Sequence, residues 1–341
     1  IPPDGAATVL KASMTMYQNG QSPMYMLTWP DNRQLQSGLA AQYAFRVDSA
    51  TQLRLNARAD FAAFSLTSQM GKDQLAVFNH AGGNNHYIIP SLSLQANRTL
   101  IGRLKGSLSV GINGRTPTAS DLYGFYLFNQ FDGYDYIGNP GLKQETGLLV
   151  DGTLSYQQRQ WKAQITGYIS RINNYILGAH TPSFSAMTIG ARGVKQYQNI
   201  DYALVSGAEA SVVYSPSTQT QIVSTLKYAY GKDNQGVPLP MMAPLRNISS
   251  VRHYFASLWL QAEMETAAAQ NKVSKVANER PTGSFTLYHL RAGYQTNIKN
   301  KAAQLAAGVE NIFDVYYREH LDWGNMARPG RNVYVQLSIG F

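Results

Sequence analysis

The chain contains no cysteine, and charged residues make up only 14% of its 341 residues, against roughly 25% in ordinary globular domains. The lack of cysteine fits an oxidising compartment, where an unpaired thiol is a liability. No stretch approaches the roughly 20 consecutive apolar residues that a membrane-spanning helix needs. The sequence therefore excludes a membrane protein built from helices and leaves open one built from strands.

The residues that are abundant favour such a strand protein. The chain has 22 tyrosines and 29 glycines, which serve a membrane barrel as interfacial rings and as small residues at bends. The net charge is +9, but the basic residues are scattered singly, without a basic run or a recognition-helix pattern. We therefore expect no nucleic-acid partner.

The last ten residues, 332–341, alternate between an apolar and a polar face. The apolar positions are Val333, Val335, Leu337, Ile339 and Phe341. Successive side chains of a strand point to opposite sides, so all five share one face. An edge strand of a soluble sandwich and a barrel wall between lipid and water both fit this pattern.

The spacing of such stretches along the chain separates these two alternatives. Alternation predicts about fourteen strands, at 7–17, 34–47, 51–66, 88–98, 103–113, 146–156, 161–176, 194–214, 218–230, 245–253, 255–266, 284–296, 302–313 and 332–341. Short links and long loops alternate between them, which is typical of outer-membrane barrels and not of soluble sandwiches. We therefore predict an all-β fold, an antiparallel transmembrane β-barrel.

One strand carries charges on a single face. Arg54, Arg58 and Asp60 share a face, opposite Leu55 and Phe61. A charge facing lipid at mid-bilayer costs about 2–4 kcal/mol, so we expect the charged face to line the lumen.

Two blocks of sequence then carry a family resemblance. Gly308 to Leu321, followed by Arg328 to Asn332, resembles the closing region of TonB-dependent outer-membrane receptors. Gly114 to Tyr123, with Gly138 to Glu145, is similar to a mid-barrel loop and strand start in the same family. The blocks occur in the family's order, and the resemblance covers most of the chain.

The resemblance implies a larger protein than this chain. The family's barrel has 22 strands around a plug domain, so residues 1–341 are expected to form the carboxy-terminal part of a barrel, without the plug. A complete fourteen-stranded pore is the alternative. The resemblance also implies a bacterial outer-membrane location among lipids and energy from the TonB complex acting through the plug, with a separate chain as one way to complete the barrel. Ile1 to Asp4 shows no signal peptide, so an exported protein would be a processed or truncated piece.

The resemblance further implies uptake of a metal ion or metal chelate, with no intrinsic cofactor. Copper is favoured by Met14, Met16, Met24 and Met26, because thioethers suit Cu(I), and Pro23 to Asp31 is similar to the copper-receptor branch. Haem, cobalamin and iron siderophores stay open. We predict Met24 and Met26 as loop ligands and expect Met14 and Met16 to contact lipid.

Histidines offer a second ligand set. His80 and His86 flank a glycine-rich stretch in a predicted external loop, and His320 lies in another. Imidazole suits copper, zinc and iron, although a polar loop histidine is more often simply solvated.

Enzymatic activity is not expected, since the chain has no nucleophile elbow, phosphate-binding glycine loop or paired histidines on a helix. The rival to transport is a non-transporting barrel whose long loops bind a surface lipoprotein or a host factor.

Overall fold

The structure, a computed structural model, describes residues 12–16, 24–78, 83–298 and 301–339. Within these residues one antiparallel sheet of 15 strands dominates, and a separate sheet has two strands. The prediction of an all-β antiparallel fold is confirmed. No helix in the described ranges is long and apolar enough to cross a membrane.

The strands are β1 (Ala12–Met16), β2 (Met24–Trp29), β3 (Asn32–Arg46), β4 (Thr51–Leu66), β5 (Asn84–Ile101), β6 (Leu104–Arg115), β7 (Leu127–Asn129), β8 (Tyr134–Ile137), β9 (Glu145–Gln157), β10 (Trp161–His180), β11 (Val194–Tyr214), β12 (Thr220–Asp233), β13 (Arg246–Phe255), β14 (Leu258–Ala267), β15 (Phe285–Ile298), β16 (Lys301–Glu310) and β17 (Asn332–Ile339). The helices are α1 (Gln69–Ala76) and α2 (Ala119–Tyr123), with a short 3₁₀ turn at Trp323–Asn325.

Neighbouring strands of the large sheet follow the order of the chain. The order runs from β3 through β4, β5 and β6 to β9, and then without interruption to β17. β7 and β8 lie off this path, and β8 pairs with the start of β11 in parallel. In the described part of the chain β3 and β17 each have one neighbour, so the sheet has two open edges there.

Short and long connections alternate as predicted. The first short turn, between β3 and β4, is closed by Asp48, whose Oδ1 accepts hydrogen bonds from the backbone N–H groups of Ala50 (2.7 Å) and Thr51 (2.8 Å). Long connections occupy 67–83, 116–144, 181–193, 234–245, 268–284 and 311–331. Because antiparallel strands alternate in direction, all long connections fall at one end of the sheet, which we call the long-loop end.

The two faces of the sheet differ in chemistry. The outer face exposes apolar side chains, among them Leu39 (84% exposed), Ile165 (53%) and Val335 (71%). The predicted alternation of the last strand is present from 332 to 339, whereas Phe341 lies outside the described residues. Such an exposed apolar face suits contact with lipid.

The opposite, inner face carries the predicted charges. Arg58 Nε donates to Asp60 Oδ2 at 2.6 Å, and Asp60 lies opposite Gly38 in the register of β3 and β4. A Cβ at Gly38 would lie 2.1 Å from Asp60 Oδ1, so a larger residue at position 38 would force the Asp60 carboxylate to shift. Arg54 lies on the same face of β4, because an even number of residues separates it from both Arg58 and Asp60.

Toward the long-loop end the inner face becomes apolar. Phe64 and Leu66 are buried there in a cluster with Leu122, Tyr123 and Leu142. The last three belong to the connection 116–144, which therefore folds back over the inner face. Thr118 and Asp121 form a capping box that begins α2 within this connection.

The prediction that 7–17 forms the first strand of the barrel wall is wrong. Residues 12–16 form β1, which pairs only with β2 in the separate sheet; residues 7–11 and 17 lie outside the described residues. β2 lies between the predicted strands 7–17 and 34–47, where the alternation predicts no strand. Alternation alone cannot distinguish a wall strand from a hairpin inside a long connection, because both have a period of two.

Candidate functional site

The hairpin of β1 and β2 brings four methionine positions together. In its register Met14 lies opposite Met26, and Met16 lies opposite Met24. Residues directly opposite each other in an antiparallel pair share a face, with Cβ atoms about 4.5–5.5 Å apart. The four positions therefore occupy one face of the hairpin in two cross-strand pairs.

Met26 is only 2% exposed and lies in an aromatic cluster. Phe78 and Phe184 meet edge to face there with centroids 4.5 Å apart, and Phe125 lies 5.5 Å from Phe78. A second thioether, Met187, packs against the same cluster. Sulfur beside aromatic rings is a favourable apolar contact, so Met26 has a packing role whatever else it binds.

These positions correct two sequence predictions. Met24 and Met26 lie on β2 and not in a loop. The expected lipid contact of Met14 and Met16 requires that they lie on a strand of the barrel wall. This requirement is not met, because β1 is not a strand of the large sheet. Metal binding by Met24 and Met26 stays a prediction.

The connection 116–144 is anchored to the inner face by an ion pair. Arg115, at the end of β6, donates from Nε to Glu145 Oε2 at 2.6 Å, and from a terminal nitrogen to Oε1 at 2.7 Å. Glu145 Oε1 also accepts from the backbone N–H of Ile176 at 2.8 Å. Arg115 lies 3.8 Å from Asp121 of α2. The bidentate geometry fixes the base of the connection where it leaves the sheet.

A second anchor is a fully buried lysine. Lys195 Nζ donates to Asp132 Oδ2 at 2.6 Å and to the Val276 carbonyl at 2.7 Å, and the two charged side chains are 2% and 1% exposed. Tyr136 donates its hydroxyl to the same carboxylate at 2.7 Å. Burial, together with this negative neighbour, raises the pKa of Tyr136. Sequence reasoning missed this anchor, because 63 residues separate Lys195 from Asp132 and neither stands in a recognisable motif.

His320 belongs to a third anchor. Its Nε2 lies 3.0 Å from Glu279 Oε1, and its Nδ1 lies 3.0 Å from Thr282 Oγ1. Facing a carboxylate, Nε2 must carry the proton, so in neutral His320 Nδ1 accepts from the threonine hydroxyl. Both ring nitrogens are therefore engaged, and in this arrangement His320 has no lone pair free for a metal.

The carboxylate of Glu279 is the centre of this third anchor. Besides His320, it accepts hydrogen bonds from the backbone N–H groups of Met241 (2.7 Å) and Ser274 (2.8 Å). Burial pushes the pKa of Glu279 upward, but these hydrogen bonds together outweigh burial and hold the pKa below its ordinary value. One carboxylate thus joins the connections 234–245, 268–284 and 311–331.

The remaining predicted histidines lie elsewhere. His86 is on β5, opposite Ala63 in the register, and its ring stacks on Phe61 with centroids 6.0 Å apart. Phe61 belongs to the outer face, so His86 lies on the side away from the inner-face cluster. His80 lies outside the described residues. In the described ranges no three His, Asp or Glu side chains are grouped so that they could hold a metal ion.

A polar cavity of about 180 Å³ opens between the long connections. Its lining includes Asp132 and Glu279 from the two buried anchors, together with Arg192, Arg280 and Asp322. The structure thus gathers its cavity, its buried charges and its methionine hairpin at the long-loop end.

Comparison with known proteins shows the family. The model of the TonB-dependent receptor-like β-barrel matches residues 10–312. No match was found among curated protein sequences.

Solved structures share the fold over nearly the whole chain. The copper transporter OprC is 18% identical, with a TM-score of 0.75 over 93% of this chain and 49% of its own. A ferric enterobactin receptor, PfeA of Pseudomonas aeruginosa, is 18% identical, with a TM-score of 0.65 over 94% and 55%. The siderophore receptor PirA of Acinetobacter baumannii is 16% identical, with a TM-score of 0.59 over 94% and 56%. The chain spans about half the length of these proteins, and the predicted barrel fold is confirmed.

Proposed function

The chain belongs to the TonB-dependent receptor β-barrel family, and we propose that the complete protein takes up a scarce metal ion or metal chelate through the bacterial outer membrane, with copper as the preferred cargo. In this proposal the exposed apolar outer face contacts outer-membrane lipids. The TonB complex supplies the energy through a plug domain.

The observation that carries the copper assignment is the register of the methionine hairpin. Two cross-strand pairs, Met14 with Met26 and Met16 with Met24, place four methionine positions on one face of the hairpin. Soft thioether ligands select Cu(I) over the hard cations that carboxylates prefer. The fold shared with the copper transporter OprC supports copper as the cargo. The fold shared with siderophore receptors supports the wider cargo class of metal ions and metal chelates.

The location of the hairpin also supports capture of the cargo from outside. β2 is tied to the connection 116–144 by two hydrogen bonds, from the Phe125 N–H to the Thr28 carbonyl (3.0 Å) and from Trp29 Nε1 to Ser120 Oγ (3.1 Å). The methionine face is therefore held at the long-loop end, which in this proposal faces the medium.

The cargo class is tested by growth. Deleting the full gene should impair growth when copper is limiting, and should not impair it when haem, cobalamin or an iron siderophore is the limiting nutrient. A defect on one of the other three nutrients would replace copper by that cargo. Normal growth on all four would end the uptake proposal and favour the docking alternative.

The methionine site is tested in the full-length protein by the double substitution Met24→Leu and Met26→Leu. Leucine nearly conserves the volume of methionine and so keeps the cluster packed, while removing two thioethers. We expect the affinity for Cu(I) under reducing conditions to fall on the order of 10–100-fold.

The matched control is Met264→Leu. Met264 lies on β14 opposite Tyr288, a residue of the outer face, and its loss should leave Cu(I) binding unchanged. Equal Cu(I) affinity in the double variant and the parent protein would reject the hairpin as the copper site.

A further inference from the structure

Asp135, on β8, is a buried carboxylate without a cationic partner among the described residues. It is 0% exposed, and none of the ion pairs in the described part of the chain includes it. Its Oδ2 accepts hydrogen bonds from the backbone N–H groups of Met187 (2.8 Å) and Thr188 (2.9 Å), whereas its Oδ1 has no hydrogen-bond partner there. Because buried charges in proteins are normally paired or bound to a metal ion, Asp135 is suited to hold a cation.

A cluster of apolar side chains around Met26 adjoins this carboxylate. We call it the Met26 cluster, and its members are Met26, Phe78, Phe125, Tyr126, Ile137 and Val194. Met187 packs against it. Asp135 stands opposite Val194 in the register of β8 and β11, and burial, together with the negative charge of Asp135, raises the pKa of Tyr126. The carboxylate of Asp135 and the thioethers of Met26 and Met187 therefore belong to one region of the long-loop end.

We propose that Met187 is a further ligand of the copper cargo beside Met26, and that Asp135 supplies the counter-charge for a Cu(I) ion held at the Met26 cluster. This inference rests on the proposal that copper is the cargo. Thioethers are soft ligands that favour Cu(I), and the faces of the clustered aromatic rings attract a cation. Because thioethers are neutral, one carboxylate balances the single positive charge of Cu(I), and the occupied site buries no net charge.

Two contacts hold Met187 at the Met26 cluster. Before it in the chain, the Phe184 ring meets Phe78 edge to face, with centroids 4.5 Å apart. At Met187 itself and at Thr188, the backbone N–H groups donate to Asp135. A ligand whose position is fixed before binding loses less conformational freedom when the metal binds. Asp135 is therefore a positioning residue for Met187 as well as the counter-charge.

The role of Met187 is tested by Met187→Leu in the full-length, detergent-solubilised protein. Cu(I) kept reduced by ascorbate is titrated in competition with a chromogenic Cu(I) chelator, and X-ray absorption at the copper edge counts the sulfur neighbours of the bound ion. Leucine nearly conserves the volume of methionine, so the cluster stays packed. We expect the Kd for Cu(I) to rise about 10–100-fold and the bound ion to have one sulfur neighbour fewer.

The control for this substitution is Met326→Leu. Met326 is 69% exposed on the long connection 311–331, so the control removes a thioether from the same end of the sheet but not from the Met26 cluster. Its Kd and its number of sulfur neighbours should equal those of the parent protein.

The role of Asp135 is tested by Asp135→Asn. The amide oxygen of asparagine can still accept from the N–H groups of Met187 and Thr188, while the negative charge is lost. The Kd for Cu(I) should rise on the order of 10-fold, with the number of sulfur neighbours unchanged. The matched control is Asp233→Asn, since Asp233 also accepts from two backbone N–H groups, those of Gln235 (2.8 Å) and Val237 (2.9 Å). Heat-modifiable migration on gels verifies that every variant remains folded.

The outcomes separate this inference from the copper proposal. A parent protein that does not bind Cu(I) would overturn both. Binding that is weakened by Met24→Leu with Met26→Leu, but is unchanged in Met187→Leu or in Asp135→Asn, would leave copper as the cargo and overturn this inference alone. Weaker binding in Met187→Leu with the full number of sulfur neighbours would also overturn it, because a change of packing would then account for the loss.

Discussion

Glu279 accepts hydrogen bonds from three separate connections, so one side chain controls how three loops are held together. The partners are the backbone N–H groups of Met241 and Ser274 and the His320 ring. At 2% side-chain exposure, these bonds are shielded from competing water, and leaving a buried donor unpaired costs about 1–3 kcal/mol.

The lowered pKa of Glu279 predicts how this anchor responds to acid. A carboxyl whose pKa is lower in the folded state stabilises that state above its unfolded pKa, about 4.3 for glutamate. The stabilisation is lost as the pH falls through the lowered folded pKa. Hydrogen-exchange protection in 268–284, corrected for the intrinsic rate, should therefore hold from pH 7 to pH 5 and decline below about pH 4.

The substitution Glu279→Gln isolates this effect. Its amide cannot accept from all three donors as a carboxylate does, so local opening should become easier by about 1–3 kcal/mol at pH 7, and the acid dependence should disappear. The control is Glu209→Gln, since Glu209 is half exposed beside Lys227 at 3.6 Å. An acid response that survives unchanged in Glu279→Gln would contradict the assignment.

At the residue scale the sequence identified His320 but not its role. Its partners Glu279 and Thr282 lie 41 and 38 residues away, and a single sequence shows no signal that pairs them. Histidine is both a metal ligand and a hydrogen-bonding group, and only the fold distinguishes the two.

At the scale of a single strand, the inner and outer faces predict opposite responses to charge. On β10, Ile165 belongs to the exposed apolar face (53% exposed), and its neighbour Thr166 meets Thr153 across the inner face, with hydroxyl oxygens 2.9 Å apart. Ile165→Lys should destabilise the membrane-inserted barrel by about 2–4 kcal/mol. Thr166→Lys should cost much less, because its side chain faces water.

Unfolding of the full-length protein in lipid vesicles measures this difference. The two variants carry the same new charge one residue apart, so each is the control of the other. Similar losses from both substitutions would mean that the two faces are not divided between lipid and water.

Strands could be predicted wherever the alternation of apolar and polar residues continues along the sheet. The predicted bounds 51–66 and 194–214 agree with β4 and β11. β5 begins at Asn84 and not at Ile88, because its first residues are polar on both faces and carry no periodic signal although they pair with β4.

Elements inside the long connections were missed for a different reason. α1, β7 and β8 have 8, 3 and 4 residues, too few for a period to be recognised. They are stabilised by contacts with distant residues, such as Lys195 with Asp132. Local signals exist at the helix starts, where Thr118 and Asp121 cap α2 and Ser68 caps α1.

On the scale of the whole molecule the two ends of the sheet are built differently. One end has short turns, such as the one closed by Asp48. At the other end long connections are joined to each other and to the wall through Arg115, Lys195 and Glu279. Lys195 lies on β11 and contacts two different connections, 116–144 through Asp132 and 268–284 through Val276.

The substitution Lys195→Met should therefore loosen two connections at once. It leaves Asp132 buried without its cation, which costs about 3–5 kcal/mol, and it removes the donor to Val276. Hydrogen exchange should speed up in both 116–144 and 268–284, while the strands of the sheet keep their protection.

The control for this prediction is Lys227→Met, since the Lys227 side chain is 66% exposed. Adding Asp132→Asn to Lys195→Met should restore part of the protection, because the unpaired charge is removed. Faster exchange confined to one of the two connections would show that they are held independently.

The shared carboxylate of Glu279 also limits how this barrel can diversify. A graft that exchanges only 268–284 with a relative would leave the donors of 234–245 and 311–331 facing a foreign side chain. Recombination that preserves a working receptor must therefore move these three connections together, as one inheritable unit, while the rest of the barrel stays in place.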